Sequence, residues 1–342
     1  MTQNKAWIAG CSGPRLASDE AAFFADERPW GFILFGRNVR EAEELCDLSA
    51  ALRAAVDRPD APIFVDQEGG RVRRLRPPLV PDHPAPAVLG RLFALDREAG
   101  QRAAYLHGRI LAIDLRRFGL NGDCVPCLDV PAPGSHQVIG DRAYGTTVEA
   151  VSALGRAAAE GLMAGAVLPV MKHMPGHGRG NADSHLDLPV VAASLEELEA
   201  VDFVPFKALN DLPCGMTAHL LFKALDPVRP TTVSPKVIGE VIRGAIGFDG
   251  LLMSDDLSMK ALAGDIGDLA GAAIAAGCDV ALHCNGDMSE MRKVASAVPV
   301  IAGKSLARAE KAQRVLAVSP AMDDEDTVRA EFNELTGRLA IA

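Results

Sequence analysis

Residues 41–71 read EAEELCDLSAALRAAVDRPDAPIFVDQEGGR. Ala42, Leu45, Leu48, Leu52 and Val56 recur at steps of three or four residues, which predicts an amphipathic helix over Glu41–Val56. The short apolar run Pro62–Val65 that follows predicts a buried strand. That strand turns abruptly polar at Asp66-Gln67-Glu68-Gly69-Gly70-Arg71. A helix feeding a buried strand whose far end carries ionisable groups is the unit of α/β proteins that work at their strand ends.

The same unit repeats outward in both directions. Apolar runs Ala6–Gly10, Gly31–Phe35, Gly122–Leu128, Val167–Lys172, Gly215–His219, Leu251–Asp255 and Val280–Cys284 bring the candidate strands to eight. Helical patterns lie between most of them: Glu98–Phe118, Val148–Ala164, Ser194–Leu209, Pro235–Ile246 and Leu262–Ala276. Ser194 followed by Glu197 is a capping box for the third of these. Eight such units with no composition break or Pro/Gly/Ser linker predict an α/β protein of the (β/α)8 TIM-barrel type rather than a doubly wound sheet. The expected organisation is a single domain over 1–342, with extra C-terminal helices in 302–342 packing outside the barrel. Asp323-Asp324-Glu325-Asp326 is placed to start the last helix.

Composition narrows the function classes. The chain of 342 residues is 49% hydrophobic and 23% charged, as an ordinary globular protein is. A net charge of −10, with no basic run beyond Arg71–Arg76, disfavours nucleic acid and anionic membrane as partners. Seven scattered cysteines are an odd number without a disulfide framework, which points to a reducing cytoplasm. Ile8-Ala9-Gly10-Cys11 has the look of a lipoprotein box, but the apolar run before it is too short for a signal segment. No run approaches the length of a membrane span.

In a barrel the chemistry sits where strands end. Those ends are Asp66–Arg71, Leu128-Asp129, Lys172-His173, His219 and Ser254-Asp255-Asp256. The fifth strand runs into Lys172-His173-Met174-Pro175-Gly176-His177-Gly178-Arg179-Gly180-Asn181-Ala182-Asp183-Ser184-His185, too rich in glycine and ionisable groups for a mere connector. Asp183 and His185 are one residue apart, so in an extended loop both side chains can share a face and the carboxylate can orient the imidazole. His173, His177 and His185 have no recognised metal-ligand spacing. Cys124 and Cys127 are spaced like half a zinc ribbon but have no second pair, and read as core residues. Asp255 and Asp256 by themselves read equally as helix-capping carboxylates.

Taken together, Val65–Val72, Lys172–Gly178, Asp183-Ser184-His185 and Ser254-Asp255-Asp256-Leu257-Ser258-Met259 resemble glycoside hydrolase family 3, in particular its bacterial single-domain β-N-acetylhexosaminidases. The likeness spans nearly the whole chain. Met174 stands where that family commonly has phenylalanine, and Thr217 where it often has proline. The resemblance implies a TIM barrel and a retaining double displacement, with Asp255 rather than Asp256 as nucleophile. It implies His185 as acid/base, held by Asp183, in place of the usual second carboxylic acid. Asp66, Arg74, Arg142, Lys172 and His173 are implied to bind the sugar. The implied substrate is terminal β-linked N-acetylglucosamine on GlcNAc-anhydroMurNAc fragments, with or without peptide, released in cell-wall recycling. No cofactor and no metal are expected, the expected partner is a small carbohydrate, and the chain is expected to act as a cytoplasmic monomer. Competing readings are a β-N-acetylglucosaminide phosphorylase, a metal-dependent barrel hydrolase and a barrel that binds sugar without turnover.

Overall fold

The computed structural model describes residues 4–180, 188–321 and 324–340. Ten strands occur in it: β1 Lys5–Ala9, β2 Pro29–Leu34, β3 Ile63–Val65, β4 Gly122–Asp123, β5 Leu168–Met174, β6 Val190–Val191, β7 Cys214–Thr217, β8 Leu221–Phe222, β9 Leu251–Asp256 and β10 Val280–His283. Eight of them close a barrel in the order β1-β10-β9-β7-β5-β4-β3-β2, every pair parallel. The fold is a (β/α)8 TIM barrel, and all eight candidate strands are in it. β2 and β5 are buried along their whole length, because a barrel strand has side chains inside and helices outside. That is why these strands read as continuous apolar runs rather than alternating ones.

Outside the barrel, β6 and β8 form a two-stranded parallel sheet that ties the chain returning from the loop after β5 to the loop after β7. This pairing of two-residue strands has no sequence signal, and the helices Ser18–Glu27, Pro86–Leu95 and Met288–Ala297 have no counterpart among the predicted segments.

Four predicted elements differ in form, among them the segment Pro235–Ile246, which takes π-type turns over Val237–Ala245. The fourth candidate strand keeps its regular ladder only over Gly122–Asp123, since Pro126 has no N–H to give, and pairing resumes as a single bridge from Cys127 to Lys172. The segment Ser194–Leu209 starts with the expected capping box, Glu197 N to Ser194 Oγ at 3.2 Å and Ser194 N to Glu197 Oε2 at 2.8 Å. It then widens to π-type turns over Leu198–Asp202 before Val204–Ala208, because Pro205 cannot donate to a continuous helix. The predicted helix Leu262–Ala276 begins only at Ile266, where Asp265 caps the first turn through Gly267 N.

In the C-terminal region the helices Gly303–Leu316 and Glu325–Gly337 lie outside the barrel, the second capped by Asp324. The Glu325–Gly337 helix docks on the helix Arg97–Arg117. Phe332 stacks on the buried ring of His107 at 5.8 Å, and Arg329 pairs with buried Asp114. Among the described residues no helix is long and apolar enough to cross a membrane.

Candidate active site

The loop after β3 is built by its own polar residues. Gln67 Oε1 accepts from Arg74 N and Leu75 N, and Gln67 Nε2 donates to Leu75 O, which folds the chain back on itself. Gly69 sits at φ +93, and a Cβ there would lie 2.2 Å from Pro84 O, so the turn requires glycine. The fold-back brings Arg74 Nη2 to 2.9 Å from Asp66 Oδ2. Lys172, from β5, places Nζ 2.9 Å from Asp66 Oδ1 and 2.6 Å from Glu68 Oε1. Arg142, from the loop after β4, grips Glu68 with two parallel hydrogen bonds.

Two carboxylates and three cations thus interlock on one side of a pocket. Burial alone would raise the Asp66 carboxyl, but Lys172 and Arg74 outweigh it and hold Asp66 well below the ordinary carboxylate range. Glu68 follows the same logic: burial opposes ionisation, Arg142 and Lys172 win, and its pKa is lowered to about 2. Lys172 and Arg142 are in turn held firmly protonated against the cost of burial by these carboxylates.

Opposite stands the end of β9. Asp256 is consumed by structure: Oδ1 accepts from Ser258 N and Cys284 N, and Oδ2 from Ser258 Oγ. Among the described residues Asp255 accepts only from the neighbouring Asp256 amide, at 2.8 Å, and its carboxylate lines the pocket. Burial would raise the Asp255 carboxyl, yet the imidazoles of His219 and His173 more than offset it and keep it low. An ionised, lightly hydrogen-bonded carboxylate at a pocket wall has a nucleophile's chemistry. His219 fixes the backbone beside it, with Nε2 2.9 Å from Asp256 O and Nδ1 2.7 Å from Thr232 Oγ1, which is itself 2.8 Å from Thr217 Oγ1.

The pocket encloses about 260 Å³ and is lined by Asp66, Arg74, Arg142, Lys172, His173 and Asp255, all six of the sequence-predicted site residues that the structure describes. Phe35 also lines it, with the Arg74 guanidinium over its ring at 5.1 Å. Asp183 and His185 lie outside the described residues.

Three groups that organise this site, Glu68, Asp129 and His177, stand in the polar strand-end and loop segments of the sequence but carry no predicted sugar-binding or acid/base role. Glu68 holds two of the cations. Asp129 accepts from His173 Nδ1 at 2.7 Å and from His177 N at 2.6 Å. His177 lines the pocket with both ring nitrogens unpartnered among the described residues, and burial with His173 beside it lowers its pKa to about 4. Polar residues at a barrel mouth were the available signal, but not which of them would face one another.

Among the described residues one group has metal-ligating atoms close together, Cys127, Asp129 and His173. Its His173 Nδ1 and Asp129 Oδ2 are 2.7 Å apart, a hydrogen-bond separation. Two ligands on a tetrahedral zinc with bonds of about 2.0 Å stand roughly 3.3 Å apart.

A TIM barrel whose strand ends present a small cation- and carboxylate-lined pocket with an ionised aspartate at its wall has the groups that glycoside hydrolysis needs. The match to the glycosyl hydrolase family 3 N-terminal domain covers residues 6–318, and the chain belongs to this family as a glycoside hydrolase of its β-N-acetylhexosaminidase group. A β-hexosaminidase of Alkalilimnicola ehrlichii is 42% identical over 284 residues, 81% of this chain and 80% of that protein. One of Methylococcus capsulatus is 42% identical over 277 residues, 80% of each. The crystal structure of native NagZ from Neisseria gonorrhoeae superposes with a TM-score of 0.85 at 32% identity, covering 98% of both chains. The same NagZ is known in complex with N-trifluoroacetyl-D-glucosamine, again at a TM-score of 0.85 and 32% identity over 98% of each chain.

Proposed function

We propose that the protein is a retaining exo-β-N-acetylglucosaminidase that removes terminal β-1,4-linked GlcNAc from peptidoglycan fragments such as GlcNAc-anhydroMurNAc during cytoplasmic cell-wall recycling. The observation that carries this reading is the Asp255 carboxylate, ionised and lightly bonded, facing the Asp66–Lys172–Glu68–Arg142 lattice across one pocket. The N-trifluoroacetyl-D-glucosamine bound by the gonococcal relative supports the sugar class.

In this reading Asp255 attacks the anomeric carbon as the glycosidic bond breaks, and His185, oriented by Asp183, gives its proton to the leaving oxygen. Water then attacks the glycosyl-aspartate ester, loses its proton to His185 and restores Asp255. Asp66, Arg74, Arg142, Lys172 and His173 hold the sugar hydroxyls. A pocket of about 260 Å³ suits one terminal residue rather than the interior of a chain.

The test is release of 4-nitrophenol from the β-N-acetylglucosaminide, with EDTA and without phosphate, beside the β-glucoside and an Asp255→Ala control. Release from the N-acetyl substrate alone, lost in the variant, is the expected result. Turnover only with added phosphate would replace hydrolysis by phosphorolysis. Loss of activity on chelation, restored by metal, would favour the metal-dependent reading.

A further inference from the structure

Asp129 is a fully buried carboxylate at the mouth of the barrel, with four donors directed at it. Oδ1 accepts from His177 N at 2.6 Å and from His173 N at 3.3 Å. Oδ2 accepts from His173 Nδ1 at 2.7 Å and from the Cys127 thiol at 3.3 Å. A carboxylate so surrounded only accepts, so the hydrogen between Asp129 and His173 sits on Nδ1. The other ring nitrogen, Nε2, lies on the pocket side, 3.5 Å from Arg142 Nη2. An N–H donor at that position is matched by a lone pair on Nε2.

We infer that Asp129 is a positioning residue that holds His173 in its Nδ1–H tautomer, so that Nε2 faces the sugar as a hydrogen-bond acceptor. This rests on the reading of the pocket as the sugar site, and it refines what the site selects. Lys172, Arg142 and Arg74 offer only donors, while Asp66 and His173 offer acceptors. A group seated between His173 and Arg142 must therefore both donate and accept, as a hydroxyl does and a fluorine or a hydrogen does not. The same carboxylate ties the start and end of the His173–His177 turn, so ring tautomer and turn geometry are set together.

The experiment is a long-range 1H–15N correlation spectrum of uniformly 15N-labelled protein at neutral pH, with His173 assigned by comparison with His173→Gln. The wild type should show a protonated Nδ1 and a bare Nε2 at His173. In Asp129→Asn the amide oxygen can still receive the backbone N–H groups while its NH2 donates to Nδ1. The proton should then move to Nε2, and kcat/KM should fall roughly 10- to 100-fold. A wild-type His173 protonated at Nε2, or an unchanged tautomer in a folded Asp129→Asn, overturns the inference. Should the variant not fold, the wild-type spectrum alone decides. The tautomer is read without substrate, so a protein that shows it yet cleaves no N-acetylglucosaminide would sink the substrate assignment and leave the role of Asp129 standing.

Discussion

Glu68 receives the Arg142 guanidinium in two parallel hydrogen bonds, Nε to Oε2 at 2.8 Å and Nη2 to Oε1 at 2.7 Å, with the carboxylate buried and the guanidinium partly so. Lys172 shares the same carboxylate at 2.6 Å. Removing Glu68 leaves Arg142 without its carboxylate partner and Lys172 with Asp66 alone. Glu68→Ala should cost about 3–5 kcal/mol in urea unfolding, and Glu68→Gln, which keeps a hydrogen-bonding oxygen, distinctly less. Stabilities indistinguishable from wild type would show that the carboxylate is not holding the lattice together.

The same carboxylate gives stability a pH dependence. Glu68 titrates near 2 in the folded protein against an ordinary value of 4.5. A depressed carboxylate contributes stability that is present above its unfolded pKa and is lost as pH falls through the folded one. Stability should therefore decline between about pH 4.5 and pH 2, and Glu68→Gln should flatten that limb. Urea midpoints measured across the range check it, and an unaltered slope in the variant would contradict it.

Buried neutral histidine adds a second limb at higher pH. His107, behind Gly69 and under Phe332, has both ring nitrogens unpartnered among the described residues, and burial lowers its pKa from 6.5 to about 3. As pH drops below 6.5 the unfolded chain takes up a proton that folded His107 refuses, so stability present above 6.5 is lost as pH falls toward the folded pKa. At pH 5 this one group should remove about 2 kcal/mol relative to neutral pH. Comparing the wild type with His107→Phe, whose ring keeps the stack without titrating, should show a shallower loss in the variant. Parallel curves would assign the limb to other groups.

Much of this was legible because barrel strands are buried on both faces and so stand out as apolar runs. Each of the eight runs became a barrel strand, and Asp66, Lys172, His173 and Asp255, at the ends of three of them, line one pocket. The missed parts depend on contacts remote in sequence. Nothing in Val190–Val191 or Leu221–Phe222 announces that they pair, and Pro205 shows its effect on the helix only through its surroundings. Thr217, a departure from the proline often found in the family, reads as neutral in sequence. In the fold its hydroxyl lies 2.8 Å from Thr232, which in turn meets His219.

That last chain is testable. His219 Nε2 donates to the Asp256 carbonyl, so Nδ1 must accept from Thr232, whose oxygen is then free to accept from Thr217. Thr232→Val leaves a buried ring nitrogen without its donor and should cost about 1–3 kcal/mol of stability. It should also lower kcat, because the backbone beside Asp255 loses its brace. Thr217→Val, which removes only the outer link, should cost less. Equal effects, or none on kcat, would mean that His219 is held by packing alone.

Assignment of Asp255 as nucleophile stands or falls on stereochemistry. Two successive displacements at the anomeric carbon return the configuration of the starting β-glycoside, whereas direct attack by water inverts it. The proton NMR spectrum of the first-formed GlcNAc, recorded before mutarotation while a β-N-acetylglucosaminide is being hydrolysed, reports this directly. The β-anomer appearing first is the predicted result. The α-anomer appearing first would contradict a covalent Asp255 intermediate and the mechanism built on it.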